Sequence, residues 1–198
     1  MDKKKILKEI RSWAFTILLA FAVVLVFNSK VMAKRDVSQS SMENTLFNEQ
    51  QLLINKFSYN FRTPKRGEII IFLEGEKKGN IIDDSIELFN NFLYKGEEYA
   101  LHTRLVKRVI GVAGDEIDIK DGYVYVNGEK LEENYVKGTT LAEQIQFPLV
   151  VDEGKLFVLG DNREVSSDSR EFGLIECNQV EGKAFLRVYP FNEIGKVK

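Results

Sequence analysis

At 198 residues, with 44% hydrophobic and 29% charged side chains, the chain has room for one domain of ordinary size and a short additional segment. Its single cysteine, Cys177, excludes an internal disulfide framework, and with only one histidine, His102, no Cys/His zinc cluster of the common metal-dependent hydrolases can be built. A net charge of -2 with scattered basic residues gives no general attraction to nucleic acid. The fourteen phenylalanines and seven tyrosines can supply a β-rich core and leave some for an exposed apolar rim, as suits a protein working against a bilayer.

Residues 1–11 carry five basic side chains against two acidic ones, and Trp13 to Phe27 then runs for fifteen residues without a charge. That run is short of the roughly 20 residues that span a ~30 Å hydrocarbon core, but Asn28 and Ser29 extend it and Arg11 and Lys30 can snorkel. The expectation is one transmembrane signal-anchor helix over residues 12–30. The positive-inside rule then holds residues 1–11 in the cytoplasm and sends residues 31–198 across the cell membrane as an extracytoplasmic domain, although Lys30, Lys34 and Arg35 weaken the asymmetry. A cleavable signal peptide ending at Val31-Met32-Ala33 is the alternative. Lys30, between the apolar run and that cleavage site, favours the uncleaved anchor. Either reading leaves the next stretch, V-S-Q-S-S-M-E-N-T-L from Val37 to Leu46, outside.

Gln51 to Asn55 and Glu68 to Leu73 read as short strands, the second introduced by the turn-like Pro64-Lys65-Arg66-Gly67. Residues 74–100 mix glycine, asparagine and acidic side chains with helical spacing around Ile86 to Leu93, which predicts an inserted loop with one short helix. Strand character returns at Leu101 to Gly111. Glu116 to Lys120 and Tyr123 to Val126 flank Asp121-Gly122, a two-residue hairpin signal, and Asn127-Gly128 predicts another tight turn. Leu131 to Val151 reads as a long polar connection, Leu156 to Leu159 as a buried strand stopping at Gly160-Asp161-Asn162, and Ala184 to Tyr189 as the last strand. Many short strands with little helix predict a mainly β fold: an irregular antiparallel β-sandwich or barrel behind one N-terminal transmembrane helix.

The chemistry starts from Ser41. A serine hydroxyl needs a base, and His102 is the one histidine that could serve. The alternative base is a lysine whose pKa has been lowered by burial away from carboxylates. Lys107, in L-V-K-R-V-I-G, fits: strand alternation puts it on the face of Leu105 and Val109 and apart from Arg108. An edge-strand gatekeeper lysine is the competing explanation. A neutral buried lysine also needs hydrogen-bond partners that do not recharge it, and Ser166 or Ser167 in G-D-N-R-E-V-S-S-D-S-R, Gly160 to Arg170, meets that need. Asp161, Asp168 and Arg170 can pair with one another to hold this loop, which otherwise reads as solvated surface.

S-S-M-E-N-T-L, R-G-E-I-I-I-F (Arg66 to Phe72), K-R-V-I-G-V-A-G-D (Lys107 to Asp115) and G-D-N-R-E-V-S-S-D-S-R, in this order behind an N-terminal anchor, resemble the sequence boxes of bacterial type I signal peptidases, from the anchor to about Gly173. The resemblance implies a mostly β catalytic domain, Ser41 as nucleophile and Lys107 as general base. It implies Ser166 as the serine that orients the lysine and Asp168 with Arg170 as a supporting ion pair. No cofactor is implied. The substrates would be secretory preproteins with small residues such as alanine at the first and third positions before the cut. Three positions depart from the family pattern: Asn44 stands at a usual proline, Ala113 at another, and Gln39 where a serine or glycine is common and a serine helps bind the oxyanion. The backbone N–H of Ser41 is then the first oxyanion donor, and the Gln39 amide a second. Histidine serves as base in eukaryotic and archaeal relatives at the position of Lys107, so His102 reads as a packed or surface residue and Cys177 as a small buried one. A self-cleaving repressor-type peptidase would use the same dyad, but the anchor argues against it. A non-catalytic anchored β-domain that binds secretory partners is the alternative from another class.

Overall fold

The structure, a computed structural model, describes residues 3–77, 86, 90 and 103–197. Most of the 74–100 insertion, and His102, lie outside the described residues. The chain divides into two compact units, Met1–Met32 with Gly79–Leu101 and Ala33–Lys78 with His102–Lys198.

The first unit contributes helix α1, Lys3–Lys30. It begins well before residue 12 because the Lys, Leu, Glu and Arg residues of the basic segment are strong helix formers. Trp13, Phe15, Ile17, Leu18, Phe21 and Val24 are all exposed, so apolar side chains occupy every side of the helix. Its fifteen-residue apolar run rises about 22 Å, against a hydrocarbon core of ~30 Å. Among the described residues no helix is long and apolar enough to cross a membrane. The helix expected over residues 12–30 is therefore present, and its apolar length is what falls short.

The second unit is mainly β. Its larger sheet has the order β1 (Met32–Asp36), β2 (Gln51–Asn55), β11 (Val180–Tyr189), β3 (Ile69–Leu73), β4 (Arg104–Val112), β9 (Lys155–Leu159) and β10 (Ile175–Glu176), with β12 (Gly195–Lys196) also paired to β11. A smaller sheet has the order β7 (Glu129–Lys130), β6 (Tyr123–Val126), β5 (Glu116–Lys120) and β8 (Leu149–Val150). The registered strand pairs are antiparallel.

β3 shows how the sequence produces this packing. All five residues of I-I-I-F-L are buried, because alternate side chains enter different cores. Ile69 and Ile71 join Met42, Leu46, Leu52, Ile54 and Ala184, while Ile70 and Phe72 join Leu105, Val109, Val158 and Ile175. A strand covered on both faces loses its polar alternation. A third core, with Ile110, Phe157 and Leu159 against Ile117, Val124 and Val126, ties the two sheets together. The hairpin signals are realised: Asp121 and Gly122 have φ of 54° and 82°, and Asn127 and Gly128 repeat these values, the left-handed pair a tight hairpin turn requires.

Among the described residues five strands escaped the sequence pattern, β1 and the two-residue β7, β8, β10 and β12, with β8 lying inside the expected long connection, and β11 is longer than its pattern predicts. β1 has no clean alternation in M-A-K-R-D and is defined by its pairing with β2. β11 begins at Val180 rather than Ala184 because Glu181 is buried among Arg35, Lys56 and Arg104, at 2.7, 2.9 and 2.8 Å. A carboxylate so placed makes the strand look polar. Cys177 is half-buried and packs against the Phe72 core.

Candidate active site

β4 runs between β3 and β9, with Lys107 opposite Ile70 and Arg108 opposite both Ile69 and Leu159. Lys107 is 1% exposed, which rules out the gatekeeper reading, since a gatekeeper points its charge into water. Its Nζ donates to Ser41 Oγ at 2.7 Å. Burial pulls the Lys107 pKa down to about 8; the charge of Asp168 opposes this, that of Arg170 reinforces it and that of Glu74 opposes it. A lysine of this kind is neutral in a useful fraction of molecules near neutral pH and can then accept a proton from a bonded hydroxyl.

Ser41 lies in a short 3₁₀ turn, Ser40–Met42, entered from an extended Gln39. The first N–H groups of such a turn have no partner inside it, so the Ser41 amide finds no acceptor within the turn. Met42 and Leu46 are fully buried and pin the turn to the core. Asn44 has a φ of 90°, a value proline cannot adopt. The asparagine therefore builds a turn that the family's usual proline could not.

Strand alternation sends Lys107 and Arg108 to opposite faces of β4, and the Ser41–Leu46 turn is tied to both. Lys107 bonds Ser41 directly. Arg108 clasps Asp161 through Nε at 2.8 Å and Nη2 at 2.7 Å, and Thr45 Oγ1 donates to the same carboxylate. The loop after β9 closes the grip: Asn162 N donates to Ser41 O at 3.0 Å and Asn162 Nδ2 to Ser40 O at 3.1 Å.

Asp168 and Arg170 form the expected pair, with Nε to Oδ1 at 2.8 Å and Nη2 to Oδ2 at 2.9 Å. Asp168 also accepts from Gly160 N and caps helix α2, Ser169–Phe172. Asp161 does not join them; its partner is Arg108, on β4. Ser166 is buried, yet among the described residues its Oγ has no hydrogen-bond partner, and it lies against Gly160 rather than on Lys107. Gln39 is exposed beside the turn. Arg108, Thr45 and Asn162 went unassigned in the sequence, although a charged residue alternating with a buried lysine in one strand was a signal that its face needed a carboxylate. Among the described residues no group of three or more His, Cys, Asp or Glu side chains is placed to hold a metal ion.

A buried lysine bonded to a serine on a tethered turn is the equipment of a serine hydrolase. The sequence model of the family described as "Signal peptidase, peptidase S26" matches residues 10–189. A "Probable signal peptidase I-2" from Synechocystis is 34% identical over 91% of this chain and 73% of its own. A "Signal peptidase IB" from Staphylococcus aureus is 31% identical over 94% of this chain and 93% of its own. A crystal structure of a signal peptidase I from Enterococcus faecalis, 30% identical, covers 62% of this chain and 97% of that one with a TM-score of 0.40. The chain belongs to the signal peptidase family, peptidase S26, as a serine peptidase of the bacterial type I kind.

Proposed function

We propose that the chain is a membrane-bound endopeptidase that removes signal peptides from exported preproteins by a Ser41/Lys107 mechanism. The observation that carries this reading is the 2.7 Å contact between a buried lysine and the Ser41 hydroxyl. Neutral Lys107 takes the Ser41 proton as Oγ attacks the scissile carbonyl carbon. The tetrahedral oxyanion is held by the Ser41 N–H, with the Gln39 amide as second donor. Collapse breaks the C–N bond, and Lys107 returns the proton to the leaving amine. Water, deprotonated by the same lysine, then hydrolyses the acyl-enzyme.

Once Ser41 is acylated its Oγ is no longer a good acceptor for Lys107. Ser166, buried and unbonded, supplies a neutral hydroxyl there, while Asp168 is kept from Lys107 by its two bonds to Arg170. The substrate strand adds near Val37 to Ser41 and to the edge of β4 at Arg104–Lys107, because β9 is registered only with residues from Arg108 onward. Alternate side chains enter small pockets, which selects alanine-like residues at the first and third positions before the cut. α1, apolar on all sides, anchors the chain with its N-terminus in the cytoplasm and the β unit on the outer face. Exposed Phe61 and Phe191, at 76% and 79%, suit contact with lipid.

The test is preprotein cleavage in detergent by Ser41→Ala and Lys107→Ala. Loss of turnover in both is expected, and either variant working at the parent rate sinks the mechanism. Gln39→Ala should lose about 100-fold; a loss below about tenfold removes Gln39 from the oxyanion site. The N-terminal sequence of membrane-extracted protein tests the anchor, which a chain beginning at Lys34 would exclude.

A further inference from the structure

The connection after β7 does more than link strands. At Lys137 it pairs with the Asp161–Arg163 loop: Lys137 N donates to Asp161 O at 2.8 Å and Arg163 N to Lys137 O at 2.9 Å. Two residues earlier, Tyr135 touches the site in two ways. Its ring lies under the Arg108 guanidinium, with Cζ 3.8 Å from the ring centroid. Its carbonyl accepts from Asn44 Nδ2 at 3.0 Å. The ring is itself fixed: Tyr135 OH donates to Glu133 Oε1 at 2.9 Å, and Glu133 is held by Arg163 through both Nη atoms.

These contacts converge on one element, the turn that carries Ser41. Arg108 uses the edge of its guanidinium on Asp161, and Thr45, four residues after Ser41, donates to that same carboxylate. The flat face of the guanidinium is what remains for an aromatic ring, and cation–π attraction is stronger where water is excluded. Asn44 provides the second contact: its left-handed φ of 90° turns its side chain onto the Tyr135 carbonyl. One residue thus bears on the turn at Thr45, through Arg108 and Asp161, and at Asn44 directly.

We propose that Tyr135 is a positioning residue for Ser41, its ring fixing the Arg108–Asp161–Thr45 chain and its carbonyl fixing Asn44. This rests on Ser41 being the nucleophile. The ring does not touch the reacting atoms; it keeps the Ser41 hydroxyl at bonding distance from Lys107 during attack, where a misplacement of about 1 Å can cost 100-fold.

The experiment measures kcat and KM for preprotein cleavage in detergent, well below each variant's melting temperature, for Tyr135→Ala, Tyr135→Phe, Asn44→Gly and Ser41→Ala on the full chain. Tyr135→Ala is expected to lower kcat about tenfold with KM within twofold, since substrate binding is untouched. Tyr135→Phe keeps the ring and should hold kcat within about threefold of the parent. Asn44→Gly keeps the left-handed turn and loses only an exposed side-chain bond, for a fall of about threefold. Parent kcat in Tyr135→Ala beside an inactive Ser41→Ala overturns the positioning role alone. So does a loss confined to KM, or an equal loss in Tyr135→Phe. Full turnover in Ser41→Ala overturns the nucleophile reading and this proposal with it.

Discussion

Lys107 and Lys56 are both buried in the β unit, 1% and 7% exposed, in opposite electrostatic settings. Lys56 Nζ is 2.9 Å from Glu181, a carboxylate that also takes Arg35 and Arg104. Lys107 has the Ser41 hydroxyl at 2.7 Å, and the carboxylate of Asp168 is occupied by Arg170. The first arrangement compensates buried charge and the second withholds compensation. A buried cation with a carboxylate stays charged, whereas one offered hydroxyls has its pKa lowered by desolvation. The contrast separates a lysine used for cohesion from one available as a base.

Swapping each lysine for methionine is the strongest test of that contrast. Lys107→Met should lose at least about 1000-fold in kcat, within the range a general base supplies. It should also melt higher at pH 7, because it removes a cation that burial disfavours. Lys56→Met should do the reverse, keeping kcat while losing about 2 kcal/mol in urea unfolding, since Glu181 keeps its two arginines but loses one partner. Equal melting shifts in the two variants would erase the distinction. Next in size is Gly160→Ala: a Cβ there would lie 2.2 Å from Ser166 Oγ and 2.5 Å from Ser41 O. The serine side chain can rotate but the backbone oxygen of Ser41 cannot, so kcat should fall about 100-fold. Turnover within threefold of the parent would mean that the Ser41 turn gives way without cost.

A smaller effect comes from the pH profile. As the proposed base Lys107 must be neutral, so kcat/KM should rise with pH and reach half its plateau near pH 8, the value to which burial lowers this lysine. Arg170→Met releases Asp168 to act on Lys107 as Glu181 acts on Lys56. The midpoint should then move to higher pH, by roughly one pH unit. An unmoved midpoint would mean that the Arg170 pair does not shield the lysine.

How much of this was legible follows from where each signal lies in the chain. The hairpins at Asp121-Gly122 and Asn127-Gly128 were readable because left-handed turns demand particular residues locally. Lys107 was readable because an apolar strand face is local too. The partner of Asp161 was not: sequence proximity suggested Arg170, and the sheet supplied Arg108, 53 residues away. β11 was shortened for the same reason, since the cations that let Glu181 be buried come from β1, from the residue just after β2 and from β4. Tyr135 lay in a stretch that reads as mere connection, and nothing local marks the guanidinium it covers. Contacts that close over long sequence separation are where composition and periodicity fall silent.

The two lysine settings also predict different pH dependences of stability. Burial would raise the Glu181 pKa, but the charges of Arg35, Lys56 and Arg104 outweigh it and hold the carboxyl at about 2. A carboxylate whose folded pKa is depressed contributes stability that is complete above its unfolded value. That contribution, about 3 kcal/mol, is lost as pH falls from ~4.5 toward 2. Lys107 works in another window. Its folded pKa lies below its unfolded one, so the unfolded chain binds the extra proton between about pH 8 and 10.5 and stability rises with pH across that range. Above about pH 10 the trend is opposed by Tyr59 and Tyr135, whose hydroxyls burial and neighbouring glutamates hold protonated beyond the usual range. Melting temperature against pH should therefore climb between pH 8 and 10 in the parent and stay level there in Lys107→Met. Glu181→Gln should make the fall below pH 4 shallower, Glu68, also held at about 2, keeping the remainder, and leave the alkaline climb intact. A climb that survives Lys107→Met would assign the alkaline limb to another group and remove the thermodynamic sign of a lysine held without its counter-charge.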